Sequence, residues 1–168
     1  MHDETHEGRT VEHSRVTMAQ VILPIHTGPG GVWAHGGEII KLMDTAAGLA
    51  ALRHAHSPVV TLRIEGINFL RPIRVGNYIV VEAELTYVSA STMEVRVRVT
   101  AEDVLNEKSF EALTAYFLFV AIGEDGKSQP VPPLILQTEE EHRLNEGGRT
   151  RHNECRIDEH GKMMCAIS

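Results

Sequence analysis

Cysteine is nearly missing from this chain of 168 residues: two occur, Cys155 and Cys165, both close to its end. Neither can act as a core nucleophile or as a staple for the residues before them. No apolar run reaches bilayer-spanning length. The longest, around residues 39–52, extends for about 12 to 17 residues, which excludes a membrane span. The chain opens Met1-His2-Asp3-Glu4-Thr5-His6-Glu7, polar and acidic, with no basic and apolar leader. That argues against secretion and against a transit peptide, and the cytoplasm is the expected compartment. Positive charge is in the minority, with 16 Lys and Arg against 23 Asp and Glu, a net charge of −7. Residues 14–136 hold twelve acids and ten bases and are close to neutral, so nucleic acid is not an expected partner. Also missing are Gly-x-Ser-x-Gly, Gly-x-x-x-x-Gly-Lys-Ser/Thr and a Gly-x-Gly-x-x-Gly after a strand. The corresponding hydrolase, nucleotide-triphosphatase and dinucleotide-binding readings fall away.

What remains is one domain with an ordinary 42% hydrophobic content, long enough to bury a core. The expected division is a flexible segment 1–13, a folded domain 14–142 and a polar, unordered tail 143–168. Both ends carry mixed charge and lack apolar periodicity, so they cannot repay the entropy of ordering. The tail contains His152-x2-Cys155-x4-His160-x4-Cys165. These are zinc-ligand types, but the spacing matches no common zinc module, and no metal is expected.

The most informative stretch is His35-Gly36-Gly37-Glu38-Ile39-Ile40-Lys41-Leu42-Met43-Asp44. It sets a glycine pair at the mouth of a helix and a carboxylate inside its apolar body. Both features are costly, the glycines in backbone entropy and the Asp in desolvation. The helix reads as apolar around most of its circumference, hence buried. Asp44 shares a face with Ile40, Ala47 and Ala51, so something can approach it closely. The free N–H groups at the helix start could serve an oxygen. The same residues are also compatible with a plain turn and a pinned structural Asp.

Downstream the pattern changes to strands. Residues 91–100 alternate strictly: Met93, Val95, Val97 and Val99 face one side, Glu94, Arg96 and Arg98 the other. Further strands are expected at 78–88, 110–122, 58–65 and 16–23. The order is strand, loop, buried helix, then four strands, without βαβ alternation. The sheet is therefore expected to be antiparallel with one helix packed on it.

The stretch His35 to Ala47 resembles the signature of hotdog-fold acyl-CoA thioesterases. Further similar blocks follow in order: Arg53-His54, Val59-Val60-Thr61, Ile67-Asn68-Phe69 with Arg71-Pro72, Val75-Gly76-Asn77, Ser91 to Val95, Phe119-Val120-Ala121, Gly126 to Pro132 and Thr138 to Glu141. The resemblance spans about residues 16–142 and is greatest to cytoplasmic-type acyl-CoA hydrolases. It implies an α+β hotdog fold, an antiparallel five- to six-stranded sheet wrapped around one long central helix. It implies that Asp44 is the catalytic carboxylate, as general base or nucleophile, and that Gly37 or Gly36 supplies the N–H facing the thioester oxygen. Thr61 and Ser91 match polar positions near the reaction centre. Many relatives carry an Asn in the loop before the glycines. Here that loop, residues 26–34, has none, and His35 could take its place or could simply cap the helix.

Coenzyme A carries phosphates, for which Arg53, Arg63, Arg71, Arg74 and Lys127 are the candidate partners, with Phe69 as a further substrate contact. No cofactor is implied, since coenzyme A belongs to substrate and product. A homo-oligomer is expected, with a dimer as its unit and a hexamer, a trimer of dimers, implied by resemblance alone. The alternatives are an inactive acyl-CoA-binding regulator and, behind it, a hotdog dehydratase acting on hydroxyacyl thioesters.

Overall fold

The strict alternation of residues 91–100 forms one long strand of an antiparallel sheet in the computed structural model, which describes residues 7–157 and 163–165. In chain order the elements are β1 (Arg9–Thr10), α1 (Val11–Ser14), β2 (Val16–Val21), α2 (Gly36–Ala55), β3 (Val59–Phe69), β4 (Tyr78–Val88), β5 (Thr92–Asp103), β6 (Lys108–Ala121), β7 (Leu134–Ile135), α3 (Glu139–Glu154), β8 (Cys155–Ile157) and β9 (Met163–Cys165). The main sheet has five strands in the order β2-β4-β5-β6-β3, all neighbours antiparallel. One face covers α2, as in the expected hotdog architecture. Val81, Val95, Val97, Val99, Leu113 and Phe117 pack from the sheet against Ile39, Met43, Ala46, Ala47, Ala50 and Ala51 of the helix. Gly48 faces the Phe119 ring, where a Cβ would lie 3.6 Å away, an ordinary packing distance.

Three expectations are revised. The helix has 20 residues, longer than its apolar run, because His35 and the glycine pair open it and Arg53-His54-Ala55 extend it. It is not covered all round, since Leu49 and Leu52 stay exposed on its outer stripe. The segments outside 14–142 are also ordered in part. Val11 is buried and β1 pairs in parallel with β7.

The largest departure is α3, which occupies residues 143–154 of the expected tail. It opens with a capping box, in which Thr138 Oγ1 accepts from the Glu141 N–H at 3.2 Å and Glu141 Oε2 accepts from the Thr138 N–H at 3.2 Å. Only Leu144 and Gly148 are buried along it. The helix is docked instead by polar contacts. Arg151 donates twice to Glu94, Nε to Oε2 at 2.9 Å and Nη2 to Oε1 at 2.8 Å, and stacks over Tyr116 at 3.7 Å. Glu94 is 4% exposed, and Thr86 Oγ1 also donates to it, at 2.6 Å. Asn145 donates to the Thr86 carbonyl at 2.9 Å. Of the four tail residues that could have bound zinc, His160 lies outside the described residues. Cys155 and Cys165 are partner positions in the backbone register of β8 and β9.

Candidate active site

Helix α2 starts because His35 caps it. The His35 ring Nδ1 accepts the Gly37 N–H at 3.0 Å, and its carbonyl accepts from Glu38 at 3.0 Å. Of the two glycines proposed to serve an oxygen, Gly37 is therefore already committed. The Gly36 N–H has no partner among the described residues. The Phe69 ring lies beside it, 3.0 Å from where a Gly36 Cβ would stand, so only glycine leaves that spot open without displacing the ring. His35, offered as a possible catalytic group, is positioned as a helix cap.

Asp44 sits two turns further on. It is half-buried rather than enclosed, and it accepts a hydrogen bond from Thr61 Oγ1 at 2.8 Å. Thr61 lies on β3, an outer strand of the sheet, next to a register shift between Thr61 and Arg63. Leu49 and Leu52 on α2 and Val60 and Leu62 on β3 are exposed large apolar residues of the same two elements. Ser91 lies immediately before β5, two strands from β3. Its carbonyl accepts from Ala121 at 3.0 Å, across β6 from β3, and no hydrogen bond joins it to Asp44 or Thr61 among the described residues.

The candidate phosphate partners separate into groups. Arg71 and Arg74 lie in one concavity, their guanidiniums over Phe110 and Trp33 respectively. Arg53 is at the far end of α2, about 26 Å along the axis from Gly36, and donates to the Arg15 carbonyl at 2.9 Å. Arg63 is paired with Glu65 at 2.7 Å and is largely covered. Lys127 is exposed in the turn after β6, 4.0 Å from Asp125. Sequence proximity thus grouped Arg63 with Arg71 and Arg74, but β3 turns its side chain elsewhere. The residues missed from sequence are Trp33, Lys108 and Phe110. They come from three separated segments, and nothing in their local pattern joins them. Among the described residues, no group of three or more His, Cys, Asp or Glu is arranged to hold a metal ion, and no helix is long and apolar enough to cross a membrane.

Residues 33–107 match the family model described as Thioesterase superfamily. The chain is 32% identical over 151 residues to an acyl-CoA thioester hydrolase of Bacillus subtilis (strain 168), YkhA, itself described as uncharacterized. That match covers 90% of this chain and 87% of that protein. The chain belongs to the thioesterase superfamily. Within that superfamily it is also 34% identical over 157 residues to the human cytosolic acyl coenzyme A thioester hydrolase, covering 92% of this chain but 41% of that protein. This superfamily member therefore spans about two-fifths of the length of its mammalian relatives. Among solved structures, an apo-hexameric acyl-CoA thioesterase superposes with a TM-score of 0.82 at 34% identity, covering 86% of this chain and 92% of that one.

Proposed function

We propose that this chain hydrolyses acyl-CoA thioesters to a free acid and coenzyme A, and that each reaction centre is shared between two copies. The observation that carries this reading is the placement of Asp44 and Gly36 on one helix. A thioester carbonyl needs a donor about 3 Å from its oxygen and a base within reach of the attacking water. Asp44 and Gly36 are eight residues apart, about 12 Å along the axis. One carbonyl cannot meet both from one chain. A second copy supplies the missing half: Asp44 and Thr61 from one subunit, the Gly36 N–H from its partner.

In this scheme Thr61 orients the Asp44 carboxylate, which takes a proton from water as the water attacks the carbonyl carbon. The oxyanion that forms accepts from the Gly36 N–H at the positive end of α2. The carbon–sulfur bond then breaks, and the coenzyme A thiolate leaves with a proton returned from the carboxyl group. A direct attack by Asp44, through an anhydride that water then opens, uses the same residues. The exposure of Leu49, Leu52, Val60 and Leu62 on α2 and β3 supports the pairing of copies, because large apolar side chains left open on one chain favour burial against another. Strand β3 supports it too: it is 11 residues long, lies at the sheet edge and contains neither Pro nor Lys to discourage pairing. The structural relative is hexameric, which supports a hexamer here, and in this proposal such dimers are its units.

The test is free-thiol release from acyl-CoA across a chain-length series, with light scattering on the same sample. Steady release by an assembly of two or more 18.6 kDa chains supports the reading. Binding of acyl-CoA without thiol release would leave an inactive acyl-CoA-binding protein in its place.

A further inference from the structure

The only two cysteines of the chain occupy partner positions in its last pair of strands. β8 and β9 pair antiparallel, with Cys155 aligned to Cys165, Arg156 to Met164 and Ile157 to Met163. Directly paired residues of an antiparallel ladder have Cα atoms about 4.5 or about 5.5 Å apart, according to their hydrogen bonding, and side chains on one face. A disulfide needs Cα atoms about 4.4–6.8 Å apart. Both kinds of pair fall inside that window. The register matters to the residue. A slip of one position would set Cys155 against Met164 or Ala166 and turn the two thiols to opposite faces.

The hairpin is tethered to the folded body at one end. β8 begins at the residue after α3 ends. Within the last turn of that helix, Arg151 is clamped to the buried Glu94 carboxylate by hydrogen bonds of 2.9 and 2.8 Å. His152 lies against Tyr87, with ring centroids 5.3 Å apart. The backbone entering Cys155 is therefore anchored, and Cys165 returns to it across a short loop, whose closure costs little chain entropy. The tail drew attention in the sequence as a set of zinc-ligand types. His160 lies outside the described residues, and the placement that is described joins the two thiol-bearing positions to each other.

We propose that Cys155 and Cys165 form a reversible disulfide, a thiol-redox site carried by the C-terminal hairpin. The oxidant is a low-molecular-weight disulfide of the glutathione class. One cysteine thiolate attacks that disulfide, forms a mixed disulfide and expels one small thiol. The other cysteine thiolate attacks the protein sulfur of the mixed disulfide and expels the second. Two cysteine thiols give up two protons and two electrons, and one small disulfide becomes two small thiols. Excess small thiol drives the same steps backwards, so the bridge follows the thiol–disulfide balance around it. The oxidised chain carries a covalent loop beyond α3, and the reduced chain holds the same hairpin without it.

The full chain, reduced and folded, is treated with oxidised glutathione. Its intact mass should fall by two hydrogens, with no glutathione retained and no covalent dimer. Trypsin cleaves after Arg151, Arg156 and Lys162, so the non-reduced digest should link residues 152–156 to residues 163–168. Excess dithiothreitol should restore both thiols. The double variant Met164→Cys with Cys165→Met moves one thiol by a single position along β9. It should form the bridge at least about tenfold more slowly. Thiols that stay free, glutathione retained on both cysteines, or bridges formed only between chains overturn the proposal. Equal speed in the double variant also overturns it, because a loose chain end would then account for the bridge in place of a paired hairpin.

Discussion

Thr61 Oγ1 donates to Asp44 Oδ1 over 2.8 Å, tying the middle of α2 to an outer strand of the sheet. The bond spans 17 residues of sequence, and it fixes a carboxylate that neighbouring small residues leave approachable. Thr61→Val keeps the shape and removes the hydroxyl. Turnover should fall about tenfold while the melting temperature stays within a few degrees, because Thr61 is exposed on a single chain. Asp44→Asn should cost about 100-fold or more in kcat. Thiol-release kinetics on folded variants check both, and near-normal turnover in Asp44→Asn would remove the carboxylate from the mechanism.

The two glycines at the helix start should respond differently. A methyl at Gly36 would sit 3.0 Å from the Phe69 ring, in front of the free N–H. Gly36→Ala should therefore lower kcat at least about tenfold with little loss of fold. At His35, replacement by Ala removes the cap on Gly37 and should cost about 1 kcal/mol of stability. If His35→Ala lowers kcat more than Gly36→Ala does, the imidazole acts on substrate and its role as a cap is secondary. Chemical melts and initial rates on the same preparations separate the two.

Helix α3 should prove integral to the fold. Arg151→Met would leave the Glu94 carboxylate buried with only the Thr86 hydroxyl, at an expected cost of about 2–4 kcal/mol. The double variant Arg151→Met with Glu94→Gln should recover part of that loss. Gly148→Ala should also destabilise, by about 1–3 kcal/mol, since its Cβ would stand 2.6 Å from Tyr87 Cβ and 2.8 Å from Glu94 Oε1. Denaturant titration decides the point. A chain ending at residue 142 with unchanged stability would show α3 to be dispensable after all.

His54 should make stability depend on pH. Its ring is fully buried, and burial holds its pKa below the ordinary 6.5, with Arg9, His13 and His56 adding to the effect and the Pro132 carbonyl, 2.8 Å from Nε2, opposing it. The unfolded chain then binds a proton that the folded chain does not, so stability rises with pH across that interval. The contribution is complete above 6.5 and is lost as pH falls below it through the folded value. His54→Gln keeps a donor for Pro132 and should flatten the fall in melting temperature between about pH 7 and pH 5. An unchanged slope would place the acid sensitivity elsewhere.

The long strands and the central helix were legible because their burial follows their period. Met93, Val95, Val97 and Val99 alternate inward as the sequence implied, and all are fully buried. Helix α3 was not, because its docking is not periodic. Glu94 stands on the polar side of an alternating strand and reads as solvated, yet it is covered by Arg151, 57 residues later. The one local signal was the Thr138-x-x-Glu141 capping box, which marks a helix start whatever the helix packs against. At the candidate site, Asp44, Thr61 and Gly36 were all singled out by motif. The difference between the capped Gly37 N–H and that of Gly36 was not legible, since it depends on which N–H the His35 ring occupies. The Trp33, Lys108 and Phe110 pocket was invisible for a further reason: its walls meet only after the sheet has formed.

The parallel pairing of β1 with β7 carries a consequence for how the chain emerges from a ribosome. Arg9 and Thr10 are made early, but their partners Leu134 and Ile135 come about 125 residues later. Arg9 also donates to the carbonyls of Arg53 and His54, closing the last turn of α2. The helix is therefore synthesised, and can collapse on the nascent sheet, long before the strand that orients its closing arginine has anything to pair with. Final locking of its C-terminal turn is deferred until residues 134 and 135 have been made, and a ribosome stalled before residue 134 would hold a sheet and helix whose early strand still lacks its mate.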